Sequence, residues 1–358
     1  MGLQVIGMIG AGPQGDGSTV HVIDGGVSPR YLVDFARTHE AAGFDLVLVG
    51  YTSISADGWQ IATHAAANTE RLGYLIAHRP GFVSPTLAAR KAATFDQLTE
   101  GRFALHIIAG AGDRDQRRDG DYLDKTGRYA RAAEYLEVMR RTWESSEPFD
   151  FHGRFFDMDD VRSDVRPFQE PGPPVFFGGS STEALEMGAA HCDVYAVFGE
   201  PLAPTKERFD DYRDRAARRG RSATFSISFR PILGRTEGEA WDRARDILRQ
   251  VSPERAPRAI DHGAERMLAH AGVSDVHDER LWMGVAKAVG ATGNTSALVG
   301  TAEQVADAIL KYYELGDLGY VLIRGFDPID DARAFGDELI PRIKEGARLI
   351  DEVASVAD

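Results

Sequence analysis

The sequence predicts an α/β protein that folds as a closed (β/α)8 barrel of the TIM type with insertions. Apolar runs of roughly 5–8 residues end at Gly, Pro or polar residues, which is typical of buried strands. Amphipathic segments follow these runs, and regular alternation of strand and helix indicates parallel βα units. Eight such units are present in a chain of 358 residues, which is long enough for one barrel of this kind.

The eight predicted strands are taken in order along the chain. Their positions are 3–10, 44–50, 72–81, 102–112, 174–181, 192–201, 224–234 and 319–328. An open doubly wound sheet is the alternative, and it usually has a Gly-x-Gly-x-x-Gly turn between its first strand and a helix. The glycines of 10–17 resemble that turn only loosely, and no clear helical pattern follows them before Pro29. The closed barrel is therefore preferred.

Three connections are too long for ordinary βα loops and are predicted to be insertions in a single domain that spans residues 1–358. The segment 111–126 is dense in charge and is expected to be a solvated loop. The segment 147–173 has the pattern of an added hairpin. The segment 251–297 holds helical patterns of mixed polarity between the last two barrel strands, and it is the predicted active-site lid.

Composition and charge exclude several classes of function. The net charge of −14 argues against nucleic acid or an anionic membrane surface as the main partner. The single cysteine, Cys192, excludes an internal disulfide and a cysteine-cluster metal site. No apolar run of about 18 residues is present, and the N-terminus lacks the basic start of a signal peptide. We therefore expect a soluble, cytoplasmic enzyme that acts on a small molecule and has no metal site.

A turn rich in glycine and serine, Gly178–Ser181, lies between the fifth predicted strand and a predicted helix. Glycines allow backbone amides to approach a ligand closely, serine hydroxyls donate hydrogen bonds, and a helix N-terminus favours an anion. The pattern favours a phosphate site, to which the Tyr129 hydroxyl could contribute. A tight turn with a serine N-cap is the alternative, and it accounts for Ser181 but not for all four residues.

Polar residues stand at the ends of other predicted strands, where the active sites of this fold lie. His78 and His106 follow very apolar residues, and their burial without partners would be costly. Arg230 and Arg324 place permanent cations in or after the last two strands, where two guanidinium groups could clamp an anion. Three aromatic residues could wall the same site, although aromatics more often belong to the core: Trp59, Phe198 and Phe326.

Several long segments resemble one known family. They are HRPGFVSPTLAARKAATFDQLTEGRFALHII from His78, GRYARAAEYLEVMRRTW, PPVFFGGSSTEALEMGAAHCDVYAVFGEP and SALVGTAEQVADAI. In this order they resemble the bacterial luciferase-like flavin-dependent monooxygenases, and most closely the alkanesulfonate monooxygenase branch. The resemblance implies a barrel, typically a homodimer or homotetramer, that takes reduced FMN from a separate NAD(P)H-dependent FMN reductase. It further implies that a flavin peroxide formed with O2 attacks the substrate, and that a sulfonate is cleaved to an aldehyde and sulfite.

The resemblance also implies site residues. The matching cofactor contacts are Ala77, His78, His106, Ala109, Tyr129, Gly179, Ser180 and Ser181. On the substrate side this chain departs from the sulfonate enzymes, so the substrate itself is left open. The substrate-side positions are Ser55, Trp59, Phe198, Ser228, Arg230 and Phe326.

The leading hypothesis is a two-component monooxygenase that uses reduced FMN and O2 to oxygenate a small, anionic organosulfur compound. Arg230 and Arg324 would bind the anion and stabilise developing negative charge. His78 or His106 would handle the proton, because an imidazole titrates near neutral pH. The alternatives are a hydride-transfer oxidoreductase with a deazaflavin or flavin, a monooxygenase of the same family with a non-sulfur substrate, and a flavin-binding protein without catalysis.

Overall fold

Eight parallel strands close into a barrel in the computed structural model, which describes residues 2–13, 18–23, 25–109, 112–251, 262–291 and 294–357. The strands in chain order are β1 (Gln4–Ile9), β2 (Leu46–Val49), β3 (Gly73–His78), β4 (Phe103–Ile107), β5 (Phe149–His152), β6 (Asp157–Val161), β7 (Val175–Gly178), β8 (Val194–Phe198), β9 (Thr224–Leu233), β10 (Val276–His277), β11 (Leu281–Trp282), β12 (Ala297–Gly300) and β13 (Leu318–Ile323). The barrel order is β1-β2-β3-β4-β7-β8-β9-β13, and β13 pairs with β1. Every one of these pairings is parallel, which confirms the predicted (β/α)8 barrel.

Helices connect the strands around the outside of the barrel. They are α1 (Pro29–Ala41), α2 (Gly58–Ala66), α3 (Pro85–Leu98), α4 (Asp113–Arg118), α5 (Lys125–Glu144), α6 (Thr182–His191), α7 (Leu202–Ala217), α8 (Glu237–Gln250), α9 (His262–Val273), α10 (Gly284–Ala288), α11 (Ala302–Tyr313), α12 (Pro328–Ala334) and, after a π-helical turn at Phe335–Leu339, α13 (Ile340–Ala357). Side-chain caps start several of them, as the oxygens of Asp57, Asp124 and Thr301 accept hydrogen bonds from first-turn amides. Among the described residues, no helix is both long and apolar enough to cross a bilayer.

The alternation of side chains along the strands separates an apolar core inside the barrel from two apolar cores outside it. The cluster inside the barrel takes side chains from most of its strands and consists of Ile6, Leu46, Leu75, Ala104, Phe176, Val194 and Leu322. A larger cluster lies between strands and helices and includes Tyr74 and Phe177. Leu75, Phe176 and Leu322 also form part of the floor of a cavity, so the inner cluster ends where the candidate site begins.

The first insertion forms the short helix α4 where the sequence predicts an irregular solvated loop. Arg79 pairs with Asp115 and Asp119 of this segment, and Arg128 of α5 pairs with Asp113. These ion pairs attach the charged segment to the barrel. The high charge of the segment did not by itself predict this attachment. Residue 111 of the predicted insertion lies outside the described residues.

The other two insertions add small elements beside the barrel. In the second, β5 and β6 pair antiparallel as a hairpin. The third contains α9, β10, β11 and α10, and β12 then pairs with the end of β9 beyond the barrel. The sequence predicts only helices in this segment. Strands β10 and β11 have two residues each, which is too short for a periodic pattern. Residues 252–261 and 292–293 lie outside the described part of the chain, so the lid assignment stays a prediction.

Close packing between α6 and β7 gives a test of the fold. A Cβ at Gly188 would lie 2.0 Å from Cζ of the buried Phe177 ring. Gly188→Ala should therefore lower the free energy of unfolding by about 1–3 kcal/mol, although alanine has the higher helix propensity. Urea unfolding followed by circular dichroism measures the change. Gly238→Ala in α8 is the matched control, since the nearest atom to its Cβ would be Thr236 Oγ1 at 3.9 Å; equal losses in both variants would contradict the packing argument.

Candidate active site

A cavity of about 380 Å³ opens among the carboxyl ends of the barrel strands. Its floor is apolar and is formed by Met8, Leu48, Leu75, Phe176 and Leu322. Its walls carry polar groups, including Ser226 and Ser228 of β9 and Arg324 after β13. Barrel enzymes place their active sites at this end of the strands, and a concave site with few convergent polar groups is the usual form of a binding site. We therefore take this cavity as the candidate active site.

The turn after β7 forms one end of the cavity. Gly179 has a φ of +151°, and a Cβ there would lie 2.8 Å from Ala184 Cβ and 2.9 Å from the Tyr129 hydroxyl oxygen. The Tyr195 hydroxyl donates to the Gly179 carbonyl oxygen at 2.8 Å, and this hydrogen bond stabilises the conformation of the turn. The Ser180 hydroxyl is buried and has no hydrogen-bond partner among the described residues. This end is thus narrow, requires glycine and has a hydroxyl available for a ligand.

Ser181 has a different role from its neighbours. Its side-chain oxygen accepts a hydrogen bond from the Ala184 amide at 3.4 Å and caps α6. Ser181 does not line the cavity. The N-cap alternative therefore holds for Ser181, while Gly178, Gly179 and Ser180 face the cavity.

Eight of the predicted site residues line this cavity. They are His106, Ala109, Tyr129, Gly179, Ser180, Phe198, Ser228 and Arg324. Seven others do not line it, namely Ser55, Trp59, Ala77, His78, Ser181, Arg230 and Phe326. The division follows from which side of each strand or loop carries the side chain.

His106 of β4 lies inside the barrel beside the turn after β7. A Cβ at Gly178 would lie 3.9 Å from His106 Nε2, and Nδ1 has no hydrogen-bond partner in the described part of the chain. Loss of hydration lowers the pKa of His106 to about 4. The imidazole is therefore neutral at pH 7.

His78 and Trp59 lie on the outer side of the barrel wall, which corrects their predicted placement in the site. His78 Nδ1 accepts a hydrogen bond from Trp59 Nε1 at 3.4 Å, and Nε2 lies 2.7 Å from the Tyr135 hydroxyl oxygen. The Trp59 indole packs against Phe95 and Phe103. These two residues belong to the interface between the strands and the helices, so neither side chain can reach a molecule in the cavity.

Arg230 is a structural residue in this fold, which corrects its predicted role as an anion clamp. The side chain is fully buried and donates to four backbone carbonyl oxygens, those of Thr19, Val20, Asn294 and Gly325. Its guanidinium carbon lies 4.7 Å from the centroid of the Phe326 ring, which is also buried and outside the cavity. Arg230 therefore joins three segments of the cavity wall and has no face open to substrate.

Arg324 retains the position that the sequence analysis predicted. Its Nη1 lies 3.0 Å from Met8 Sδ, and its Nη2 donates to the Asn294 carbonyl oxygen at 3.3 Å. Burial lowers its pKa to about 10, so the guanidinium stays charged at pH 7. Ser55, by contrast, hydrogen bonds to the backbone of Thr52 outside the cavity, and Ala77 is buried in the wall.

Several polar cavity residues were missed from the sequence, among them Lys125, Arg208 and Asn294. Lys125 stands one helical turn before Tyr129, and this i,i+4 spacing could have identified it. Arg208 lies in the interior of α7, and Asn294 lies near the end of the third insertion. No strand-end signal marks either of these two, because the tertiary fold alone brings them to the cavity. The Asn294 side-chain amide donates to the Ser228 hydroxyl.

A parallel barrel with a partly polar cavity at the carboxyl ends of its strands is the arrangement of a barrel enzyme that acts on a small molecule. The chain belongs to the luciferase-like monooxygenase family, whose sequence model matches residues 7–318. This confirms the family and the enzyme class predicted from the sequence. The predicted FMN cofactor agrees with membership of this family. The alkanesulfonate branch stays a prediction.

The chain is similar to several solved structures. One is riboflavin lyase RcaE with modified FMN and riboflavin, at 19% identity and a TM-score of 0.78, covering 96% of this chain and 92% of that chain. Another is DmoA from Hyphomicrobium sulfonivorans, at 18% identity and 0.75, covering 96% and 88%. A third is the EDTA monooxygenase EmoA from Chelativorans sp. BNC1, at 17% identity and 0.73, covering 96% and 94%. At these identities the likeness shows the shared fold alone.

The structural role of Arg230 is testable by stability. Arg230→Met leaves four buried carbonyl groups without their donor, so we expect the free energy of unfolding to fall by about 3 kcal/mol or more. Guanidinium chloride unfolding measures the loss. Arg245→Met in α8 is the control, because its i,i+3 pair with Asp242 is exposed and such pairs contribute about 0–1 kcal/mol. An Arg230 variant as stable as this control would restore the view that Arg230 serves substrate.

Buried His78 predicts a pH dependence of stability. Loss of hydration lowers its pKa to about 4 in the folded protein, against about 6.5 when unfolded. Its contribution is therefore complete above pH 6.5 and is lost as the pH falls towards 4, by up to about 1.4 kcal/mol per pH unit. His78→Asn should reduce this slope between pH 6.5 and 4, whatever its effect at pH 7. His64→Asn, at an exposed position of α2, should leave the slope unchanged; identical slopes for wild type and His78→Asn would refute the prediction.

Proposed function

We propose that this protein is the oxygenating component of a two-component monooxygenase. It uses reduced FMN, supplied by a separate NAD(P)H-dependent FMN reductase, and O2 to oxygenate a small anionic organosulfur compound of the alkanesulfonate type. The proposal includes a cytoplasmic homodimer or homotetramer, as the resemblance implies. One observation supports it most directly: a single cavity joins an anion-binding turn at one end to the charged Arg324 on its wall.

The residues of the cavity fit FMN. The buried Ser180 hydroxyl has no partner within the described residues, and a side chain at position 179 would fill the space beside the Tyr129 hydroxyl. Gly179, Ser180 and Tyr129 would hold the phosphate, as backbone amides and hydroxyls do at such turns. His106 and Ala109 would border the ring system, and the apolar floor suits a flat aromatic group.

The atoms and electrons of the proposed reaction balance with reduced FMN, O2 and the substrate as reactants. Reduced FMN supplies two electrons and activates O2 when bound. With an alkanesulfonate, one oxygen atom enters the aldehyde and the other leaves as water. The C–S bond breaks with its electron pair on sulfite, one proton is released, and the flavin ends oxidised.

The chain itself supplies binding, charge and a proton acceptor. Arg324 would bind the anionic group of the substrate and stabilise negative charge as it develops on oxygen. His106 would handle the proton beside the ring system, where burial keeps its imidazole neutral at pH 7. The apolar floor would lower the local dielectric constant of the cavity, and this would strengthen the electrostatic interactions of Arg324 and His106 with a bound ligand.

Oxygen consumption tests the proposed class of reaction. The purified protein is titrated without oxygen with oxidised FMN, reduced FMN and a deazaflavin coenzyme, and oxygen is then admitted to the tightest complex. We expect reduced FMN to bind best and an alkanesulfonate to accelerate oxygen consumption with release of sulfite. Tight deazaflavin binding with no oxygen uptake would overturn the proposal in favour of hydride transfer. Oxygen uptake stimulated only by non-sulfur substrates would keep the monooxygenase and overturn the organosulfur assignment.

Replacement of Arg324 separates substrate binding from cofactor binding. Arg324→Met should raise the KM for an anionic substrate by about 10- to 100-fold, the value of one charge-assisted hydrogen bond, while the Kd for FMN changes by less than about threefold. Steady-state kinetics and flavin fluorescence give the two constants. Arg324→Lys keeps the charge and should recover part of the loss. If Arg324→Met weakened the binding of substrate and of FMN equally, Arg324 would not be a specific binding residue for the substrate.

A further inference from the structure

We infer that Arg208 makes this cavity selective for phosphorylated flavin over riboflavin. The inference rests on the proposed function, since it concerns the FMN in the same cavity. Arg208 lies on α7, far in sequence from the Gly-Ser turn, and nothing in the strand-end pattern marks it as a site residue. Arg208 nevertheless lines the cavity together with Gly179 and Ser180.

Contacts through Tyr195 connect Arg208 to the turn. The Arg208 guanidinium carbon lies 5.8 Å from the centroid of the Tyr195 ring. The hydroxyl of the same tyrosine donates to the Gly179 carbonyl oxygen at 2.8 Å. Tyr195 therefore lies between the guanidinium group and the turn in this chain of contacts, and Arg208, Tyr195 and Gly179 all line the cavity.

The charge balance around Glu200 leaves this end positive. Arg208 Nη1 donates to Glu200 Oε1 at 3.0 Å, which by itself would neutralise the arginine. Arg266 of α9, however, already pairs with both oxygens of that carboxylate, through Nε to Oε1 at 3.0 Å and Nη2 to Oε2 at 2.7 Å. Two guanidinium groups thus share one carboxylate. These three side chains together carry one net positive unit, and Arg208 is the one of them that lines the cavity.

Lys125 adds a second positive charge from another direction. It stands one turn before Tyr129 on α5 and lines the same cavity. In the described part of the chain no carboxylate lies within 4.0 Å of its amine. Two cations from α5 and α7 therefore flank the turn in a protein whose net charge is −14. A phosphate dianion matches this local charge, whereas the hydroxyl end of riboflavin gains nothing from it.

The test compares FMN and riboflavin on the intact protein. Kd values for both are measured by flavin fluorescence with wild type, Arg208→Gln, Arg208→Lys and Arg218→Gln. Arg218 ends the same helix and is exposed, so its variant makes the same change of charge away from the cavity. We expect Arg208→Gln to weaken FMN binding by about 10- to 100-fold and riboflavin binding by less than about threefold. Arg208→Lys should restore part of the FMN affinity, and Arg218→Gln should behave as wild type.

The outcomes distinguish this inference from the proposed function. Equal losses for both flavins in Arg208→Gln, or no loss for FMN, would overturn the inference and make Arg208 a structural partner of Glu200. A wild type that binds FMN and riboflavin equally well would also overturn it while leaving the monooxygenase proposal standing. A wild type that binds neither flavin would overturn both. Raised salt should weaken FMN binding more in wild type than in Arg208→Gln, which a purely structural role would not produce.

Discussion

Successive residues of a β-strand point to opposite sides of the barrel wall, and the whole organisation of this protein depends on that alternation. On β4, Ala104 joins the inner cluster and His106 faces the cavity above it. On β3, Leu75 faces inwards, so His78 three positions later faces the helices and bonds to Tyr135. A register shift of one residue in β3 or β4 would turn its cavity-facing side chains towards the helices and its helix-facing side chains towards the cavity.

The buried arginines show how the same residue type serves two purposes. Arg230 shares the inward face of β9 with Ser226 and Ser228, but it lies where the strand leaves the barrel to pair with β12. Carbonyl oxygens from three segments enclose it there and take up its donors. Arg324, by contrast, lines the cavity. Enclosure by carbonyl oxygens, rather than the face of the strand, gives Arg230 its structural role.

Electrostatics in this molecule are arranged locally against the overall charge. A net charge of −14 would repel a phosphorylated cofactor or an anionic substrate at long range. Three cationic side chains that line the cavity oppose this long-range field locally, those of Arg324, Lys125 and Arg208. The buried Ser180 hydroxyl adds a hydrogen-bond donor at the turn after β7. Positive charge is thus concentrated at the cavity although the chain as a whole is negative.

The sequence by itself determined the barrel and the turn rich in glycine and serine after its fifth strand. Eight apolar runs that alternate with helices permit few other folds, and the Gly-Gly-Ser-Ser turn before a helix is a local pattern. Only the tertiary structure decided the rest. Whether Arg230 faces ligand or carbonyl groups, and whether Arg208 and Asn294 reach the cavity, depends on loops and helices far apart in the chain. Local patterns fix conformation and charge, whereas the enclosure of a polar group is a property of everything that packs around it.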